Sequence, residues 1–278
     1  MANTVSALIK DENGTITLQI QIPWKEVNLA RESVLDEFAK EMAIQGFRKG
    51  KAPKNVVMEH VDPERLREET LKKLLPSFYT TAVKEHKLTP IVNPKIHVEK
   101  LEDGKDWTFS ATTCEMPKIR LGDYKKKIQD ITAKSKIVVP GKEAKEPNFD
   151  EMMQVILDSA ELTVPPMLAE QEVDRLLSQT LDEIKKLGLT LEQYLASTKK
   201  TPEQLREDYR VKATNDIKME FVLQKIAEDE NITVEETEID EAVQKAPNPQ
   251  EKTYLEQNRY LLASILRQQK TLDFLKNL

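Results

Sequence analysis

Thr15-Ile16-Thr17-Leu18-Gln19-Ile20-Gln21-Ile22 alternates polar and apolar side chains without a break and runs directly into Pro23. A period of two places Ile16, Leu18, Ile20 and Ile22 on one face of a strand that is buried on that side only. Upstream, Asn13-Gly14 is a tight-turn dipeptide, so residues 3–10 and 15–22 pair as a hairpin. Downstream the period changes. Val27, Ala30, Arg31, Val34, Leu35, Phe38 and Met42 share one helical face, and Pro23 suits a helix entrance.

That helix stops at Ile44-Gln45-Gly46-Phe47-Arg48-Lys49-Gly50-Lys51-Ala52-Pro53, where two glycines and a proline forbid continuation. A short helix follows near 53–60. Asp62-Pro63-Glu64 opens another, with Asp62 as N-cap, running to about Lys87 with a kink at Pro76. Strands near 94–101 and 106–115 turn at Asp103-Gly104. Residues 116–148 read as a connector, partly extended at Ile128–Val139. From Asn148 onward the pattern is helical. Thr190–Gln193, Thr201–Gln204 and Thr233–Glu236 each have capping-box spacing. Leu205, Tyr209, Ala213, Ile217 and Phe221 form one helical stripe, and Leu261, Leu262, Ile265, Leu266, Leu272 and Leu275 supply the last helix. The expected fold class is α+β: an N-terminal four-stranded sheet with an inserted helical hairpin, then an all-α arm domain. The expected boundaries are 1–118, a connector at 119–148, and 149–278.

The 278 residues carry a net charge of −6, with 39% apolar and 32% charged side chains, a globular balance outside the disordered range. Seven glycines and 5% aromatics argue against an all-β protein or a glycine-looped nucleotide enzyme. Cys114 stands alone, which excludes an intramolecular disulfide and a cysteine zinc cluster. The start, Met1 to Lys10, lacks the basic-then-apolar pattern of a signal peptide, and no apolar run reaches the ~18 residues of a membrane span. The cytoplasm is therefore the expected compartment. Residues 1–120 hold 19 basic and 18 acidic side chains and the remainder 23 and 30. A near-neutral first part and an acidic helical part suggest two jobs, and the acidic bulk argues against general nucleic-acid binding.

Catalytic patterns are thin. His60, His86 and His97 lack partners at metal-ligand spacing, and a lone histidine is more often a surface or half-buried one. Gly46 to Lys51 is one residue short of a phosphate loop, has Ala52 in place of its Ser or Thr, and does not follow a strand. No catalytic, metal or cofactor site is expected, and the chain does not read as an enzyme. The loop at 46–51 does ask for a function. Two glycines turn the backbone sharply, and Phe47 stands beside Arg48 and Lys49, with Lys51 and Lys54 behind. These residues leave two readings open: a docking tip in which Phe47 enters a partner pocket while Arg48 grips an anion, or an ordinary basic turn with Phe47 folded inward.

Gly46-Phe47-Arg48-Lys49-Gly50-Lys51-Ala52-Pro53 resembles the ribosome-docking signature of the trigger factor family, chaperones of the bacterial tunnel exit. The strand–helix–loop–helix–strand surroundings, closing near Phe109-Ser110-Ala111, agree. Leu162-Thr163-Val164-Pro165-Pro166-Met167-Leu168, with Glu172, Asp174 and Leu176, resembles that family's entrance into its arms. The resemblance covers about 1–120 and 148–278. It implies that Phe47, Arg48 and Lys49 contact a large-subunit protein at the tunnel exit and nearby ribosomal RNA, with Lys51 in the same loop and Gly46 and Gly50 shaping it. It implies an ATP-independent holdase whose helical cradle shields nascent or unfolded chains. A homodimer off the ribosome is compatible with it. The family's prolyl isomerase domain has no place here, because only the connector occupies its position, so that activity is not carried over. Met152, Met153, Met167, Met219 and the arm leucines are candidate client contacts, and none is assigned. Two alternatives stand beside this reading: a peptidyl-prolyl isomerase, and a ribosome-independent assembly or interaction protein on the same scaffold.

Overall fold

The computed structural model describes residues 5–43, 47, 48, 50, 51, 53–135 and 148–278. The chain divides into two compact units, Met1–Met116 and Pro117–Leu278.

In the first unit, β1 (Val5–Lys10) and β2 (Thr15–Ile22) form the expected antiparallel hairpin. Gly14 takes φ +83° in its turn, and the Asn13 side chain accepts from the Thr15 N–H at 3.0 Å. Helices α1 (Trp24–Glu41), α2 (Lys54–His60) and α3 (Pro63–Glu85) come next, then β3 (Lys95–Lys100) and β4 (Trp107–Cys114). The sheet order is β1-β2-β4-β3, all antiparallel, so the helical insertion sits between the two hairpins in sequence while β2 and β4 pair at the centre. The alternation of β2 is observed as read: Ile16, Leu18, Ile20 and Ile22 are buried with Trp107, Phe109 and Ala111 of β4. Leu71, Leu74, Phe78 and Ala82 of α3 and Val27 of α1 close that face. Each fully buried large side chain here contributes about 1.5–3 kcal/mol relative to exposure.

Asp62 caps α3 as expected, accepting from the Glu64 N–H at 3.1 Å. Pro76 lies inside α3, which runs unbroken from Pro63 to Glu85. At the other end of the insertion, Asp106 accepts from the Trp24 N–H at 2.7 Å and so satisfies the start of α1 from the β3–β4 turn.

The second unit corrects the connector. A short strand β5 (Arg120–Leu121) and helix α4 (Tyr124–Ser135) occupy much of 119–148 and belong to this unit's core. Tyr124, Ile128 and Ile131 recur at i, i+4 and i+7 and are buried, so the described part of the partly extended stretch expected at Ile128–Val139 is helical. Burial of that stripe outweighs a weak local preference. Residues 136–147 lie outside those described. Beyond them come α5 (Phe149–Ser159), β6 (Ala160–Glu161), α6 (Pro166–Lys186), α7 (Leu191–Thr198), α8 (Pro202–Asp229), α9 (Glu236–Gln244), α10 (Pro249–Gln257) and α11 (Arg259–Lys276). β5 pairs with β6, and Gly122 permits the approach: a Cβ there would stand 2.7 Å from the Ser159 carbonyl oxygen.

Both threonine capping boxes, at Thr190 and Thr201, are formed as read. The third is displaced. α9 begins two residues later, with Glu235 as N-cap and Glu238 accepting from its N–H at 2.9 Å. Lys270 of α11 engages the Thr233 carbonyl at 2.7 Å and the Glu238 carboxylate, which fixes the chain ahead of the helix. α8 ties the unit together. Its N-terminal half packs Ala213 against Val173 and Leu176 of α6, and its C-terminal half packs Val222, Leu223 and Ile226 against α4, α5 and Leu275.

Candidate functional site

The loop after α1 stands on an apolar cluster of its own. Val34, Leu35 and Phe38 of α1 pack on Val57, Val61 and Leu66, apart from the cluster under the sheet. Polar links brace α1 against both α2 and α3. Lys54 meets Asp36 at 2.8 Å, Lys73 meets Glu37 at 2.6 Å, and the Arg65 guanidinium lies 5.2 Å from the Phe38 ring centre. The loop is thus carried where α1 is braced by α2 and α3.

Within the loop, the Lys51 N–H donates to the Arg48 carbonyl at 2.9 Å, closing a turn. Gly50 takes φ +81° at its third position, a conformation that only glycine adopts without strain. Space is not the reason for glycine, since a Cβ would meet only the Lys40 Cα at an ordinary 3.9 Å. Phe47 is 42% exposed, so the inward-folded reading of the loop does not describe this structure. Arg48 and Lys51 are exposed, and among the described residues no carboxylate pairs with either. An exposed ring beside unpaired cations can bury apolar area while contacting an anion. Gly46 and Lys49, the remaining loop residues singled out in the sequence, lie outside the described residues.

His60 Nδ1 lies 2.8 Å from the Val56 carbonyl, His86 Nε2 lies 3.0 Å from the Ser6 hydroxyl, and His97 is exposed on β3. Burial pushes the Cys114 thiol up, and burial together with Glu230 pushes the Tyr124 hydroxyl up. Among the described residues no group of His, Cys, Asp and Glu is arranged to hold a metal, and no helix is long and apolar enough to cross a membrane.

The candidate client methionines separate. Met152 is sealed in the second unit's core, which removes it from any contact surface, whereas Met153, Met167 and Met219 are half-buried. The larger exposed apolar groups include Leu261 and Ile265, which the sequence reading counted with the last helix's apolar residues, beside Leu187, Leu189, Leu191 and Tyr260, which it did not single out. Leu187 (74% exposed), Leu189 and Leu191 follow α6 with strand-like spacing, and Tyr260 (91%), Leu261 and Ile265 stand off the buried stripe of α11. The signal for Tyr260, Leu261 and Ile265 is apolar residues out of phase with the buried positions Leu262, Thr271 and Leu275 of α11.

A four-stranded antiparallel sheet interrupted by a loop-bearing helical insertion, with a mainly helical second unit, defines an α+β protein of two units. The chain belongs to the bacterial trigger factor family. The family described as "Bacterial trigger factor protein (TF)" matches residues 5–156, and its C-terminal counterpart matches 140–277, so the two regions overlap and leave no interval between them. The trigger factors of Staphylococcus epidermidis and Staphylococcus aureus are each 34% identical over 116 residues, which is 42% of this chain. That match spans only 27% of the length of those relatives. A solved structure described as "Promiscuous Substrate Recognition in Folding and Assembly Activities of the Trigger Factor Chaperone" has the same fold at TM-score 0.68 and 14% identity, over 98% of this chain and 99% of that one.

Proposed function

We propose that this chain is an ATP-independent chaperone that docks through residues 46–51 at the ribosomal tunnel exit and shields nascent or unfolded segments on its helical unit. The observation that carries the reading is Phe47 exposed on a glycine-fixed turn beside Arg48 and Lys51, neither paired among the described residues. An anionic surface attracts such a tip, and the acidic remainder of the chain is repelled from it, which orients the encounter. The exposed groups at Leu187–Leu191 and Tyr260–Ile265 provide separate weak apolar contacts, suited to clients that leave as they bury their own surface. The compartment is the cytoplasm, where the partner resides. Prolyl isomerisation is not part of the activity.

The test is ribosome co-sedimentation of the Phe47→Ala, Arg48→Ala, Lys49→Ala triple variant. Binding is lost while the helical circular dichroism signal is kept; equal sedimentation of variant and parent refutes docking. Suppression of client aggregation proceeds without nucleotide, and a strict ATP requirement contradicts the holdase. Acceleration of a proline-limited refolding reaction would reinstate the isomerase.

A further inference from the structure

The sheet has two edges, and they are treated differently. β3 carries Lys95, His97, Glu99 and Lys100, all exposed, and its register with β4 shifts between Val98 and Lys100. Charges and a bulge are the usual means by which an edge is kept from pairing with another chain. β1 has neither. Val5-Ser6-Ala7-Leu8-Ile9 is uncharged, and six consecutive residues pair with β2 in one unshifted register. The only charge on this strand, Lys10, is engaged by Glu115 at 3.2 Å.

β1 has a single strand neighbour, so alternate N–H and C=O groups along its outer side have no backbone partner among the described residues. The flanking side chains are suited to contact. Ala7 and Ile9 are exposed on the face away from α3, while Leu8 packs against the core cluster and Ser6 is held at α3 by Glu85 and His86.

We propose that the outer edge of β1 takes up an extended, uncharged segment of an unfolded chain as a reversible fifth strand, a client site that rests on the chaperone reading above. Only an extended backbone can satisfy an alternating row of donors and acceptors. Ala7, Leu8 and Ile9 favour small apolar or β-branched neighbours and give a charged residue no partner. A second copy of this chain is the weaker occupant. Six residues at ~3.3 Å each make an edge of about 20 Å, burying roughly 200 Å² on each partner. A stable dimer needs ~1,200 Å² or more in total. A small contact of this size matches a client that must leave.

Amide hydrogen exchange on the full chain tests the site, with a peptide of alternating valine and threonine carrying a lysine at each end. At ten times its Kd the peptide slows the outward amides of β1 about tenfold. Amides of β3 are unaffected, and a peptide N-methylated at alternate positions protects nothing. Ala7→Lys with Ile9→Lys abolishes the protection. Unchanged β1 exchange at millimolar peptide, equal protection of β3, or equal protection by the N-methylated peptide overturns the proposal. Protection that grows with protein concentration alone overturns it in favour of a second copy. Aggregation suppression by the parent is measured in parallel. If it persists without peptide protection, the edge site alone falls; if it is absent, the chaperone reading falls whatever the peptide does.

Discussion

Phe47→Ala separates docking from folding more cleanly than any other single change. An aromatic side chain presents ~200 Å², so 42% exposure leaves about 85 Å² that a partner can cover. At about 25 cal/mol per Å² this amounts to ~2 kcal/mol of association free energy. That is a loss of about 30-fold in affinity, with kinetic changes mainly in dissociation. The ring belongs to none of the buried clusters, so unfolding free energy moves by less than about 0.5 kcal/mol. Co-sedimentation titrations with purified ribosomes give the first quantity and urea denaturation the second. A change in Kd below twofold refutes the ring as an anchor. A stability loss above ~1.5 kcal/mol refutes its exposure, because only a packed ring costs that much when truncated. Arg48→Ala provides the contrast: it lowers the salt dependence of binding by about one unit of slope if it meets a phosphate, whereas Phe47→Ala leaves the slope unchanged.

Gly50→Val forces a β-branched residue into φ +81° and costs at least ~1 kcal/mol, read as weaker ribosome binding, while Gly50→Asn costs less; equal effects of the two exclude backbone strain as the cause. Met152→Ala empties a fully buried site and lowers unfolding free energy by about 2–5 kcal/mol in urea, and a loss under ~1 kcal/mol contradicts its place in the core. The Arg206 guanidinium, bonded to Glu170, holds that carboxyl below the usual carboxylate range. A pKa depressed by folding adds stability above the unfolded value that is lost as pH falls through the folded one, so the α6–α8 pairing loosens progressively from the ordinary carboxylate range downward. Exchange of α6 and α8 amides, corrected for intrinsic rates, rises there before that of β2 and β4, and Glu170→Gln removes the difference. The effect is small because the pair is solvent-screened.

The elements legible in the sequence were those in which local pattern and tertiary burial agree. β2 alternates and is buried on one face; Asp62 and Pro63 start a helix because side-chain acceptor and fixed φ favour the same geometry. α4 was missed because its isoleucines favour a strand individually while their spacing favours a helix, and only packing against α5 and α8 decides between them. The start of α9 shifted because Lys270, 37 residues from Thr233 in sequence, holds the preceding carbonyl. Loop composition was legible, but exposure of Phe47 was not, since the same residues fit an inward ring. Leu187 and Tyr260 escaped notice, and Leu261 and Ile265 were counted with the last helix's apolar residues, because helical periodicity identifies what can face the core and is silent about what is left outside.

Pairing of charges distinguishes the loop from its support. Lys54 and Lys73 brace α1 through Asp36 and Glu37, while Arg48 and Lys51 have no carboxylate partner among the described residues. An exposed ion pair is worth only ~0–1 kcal/mol to folding, so leaving two tip cations unpaired sacrifices little stability. For binding the difference is larger. A cation already paired must be separated from its carboxylate before it can meet an anion, whereas Arg48 and Lys51 are available at encounter. The apolar cluster of Val34, Phe38 and Val57 keeps that charge at the end of a braced support, separate from the core beneath the sheet. Changes at the tip can therefore alter binding while leaving the fold intact, the condition under which Phe47→Ala and Arg48→Ala report on docking alone.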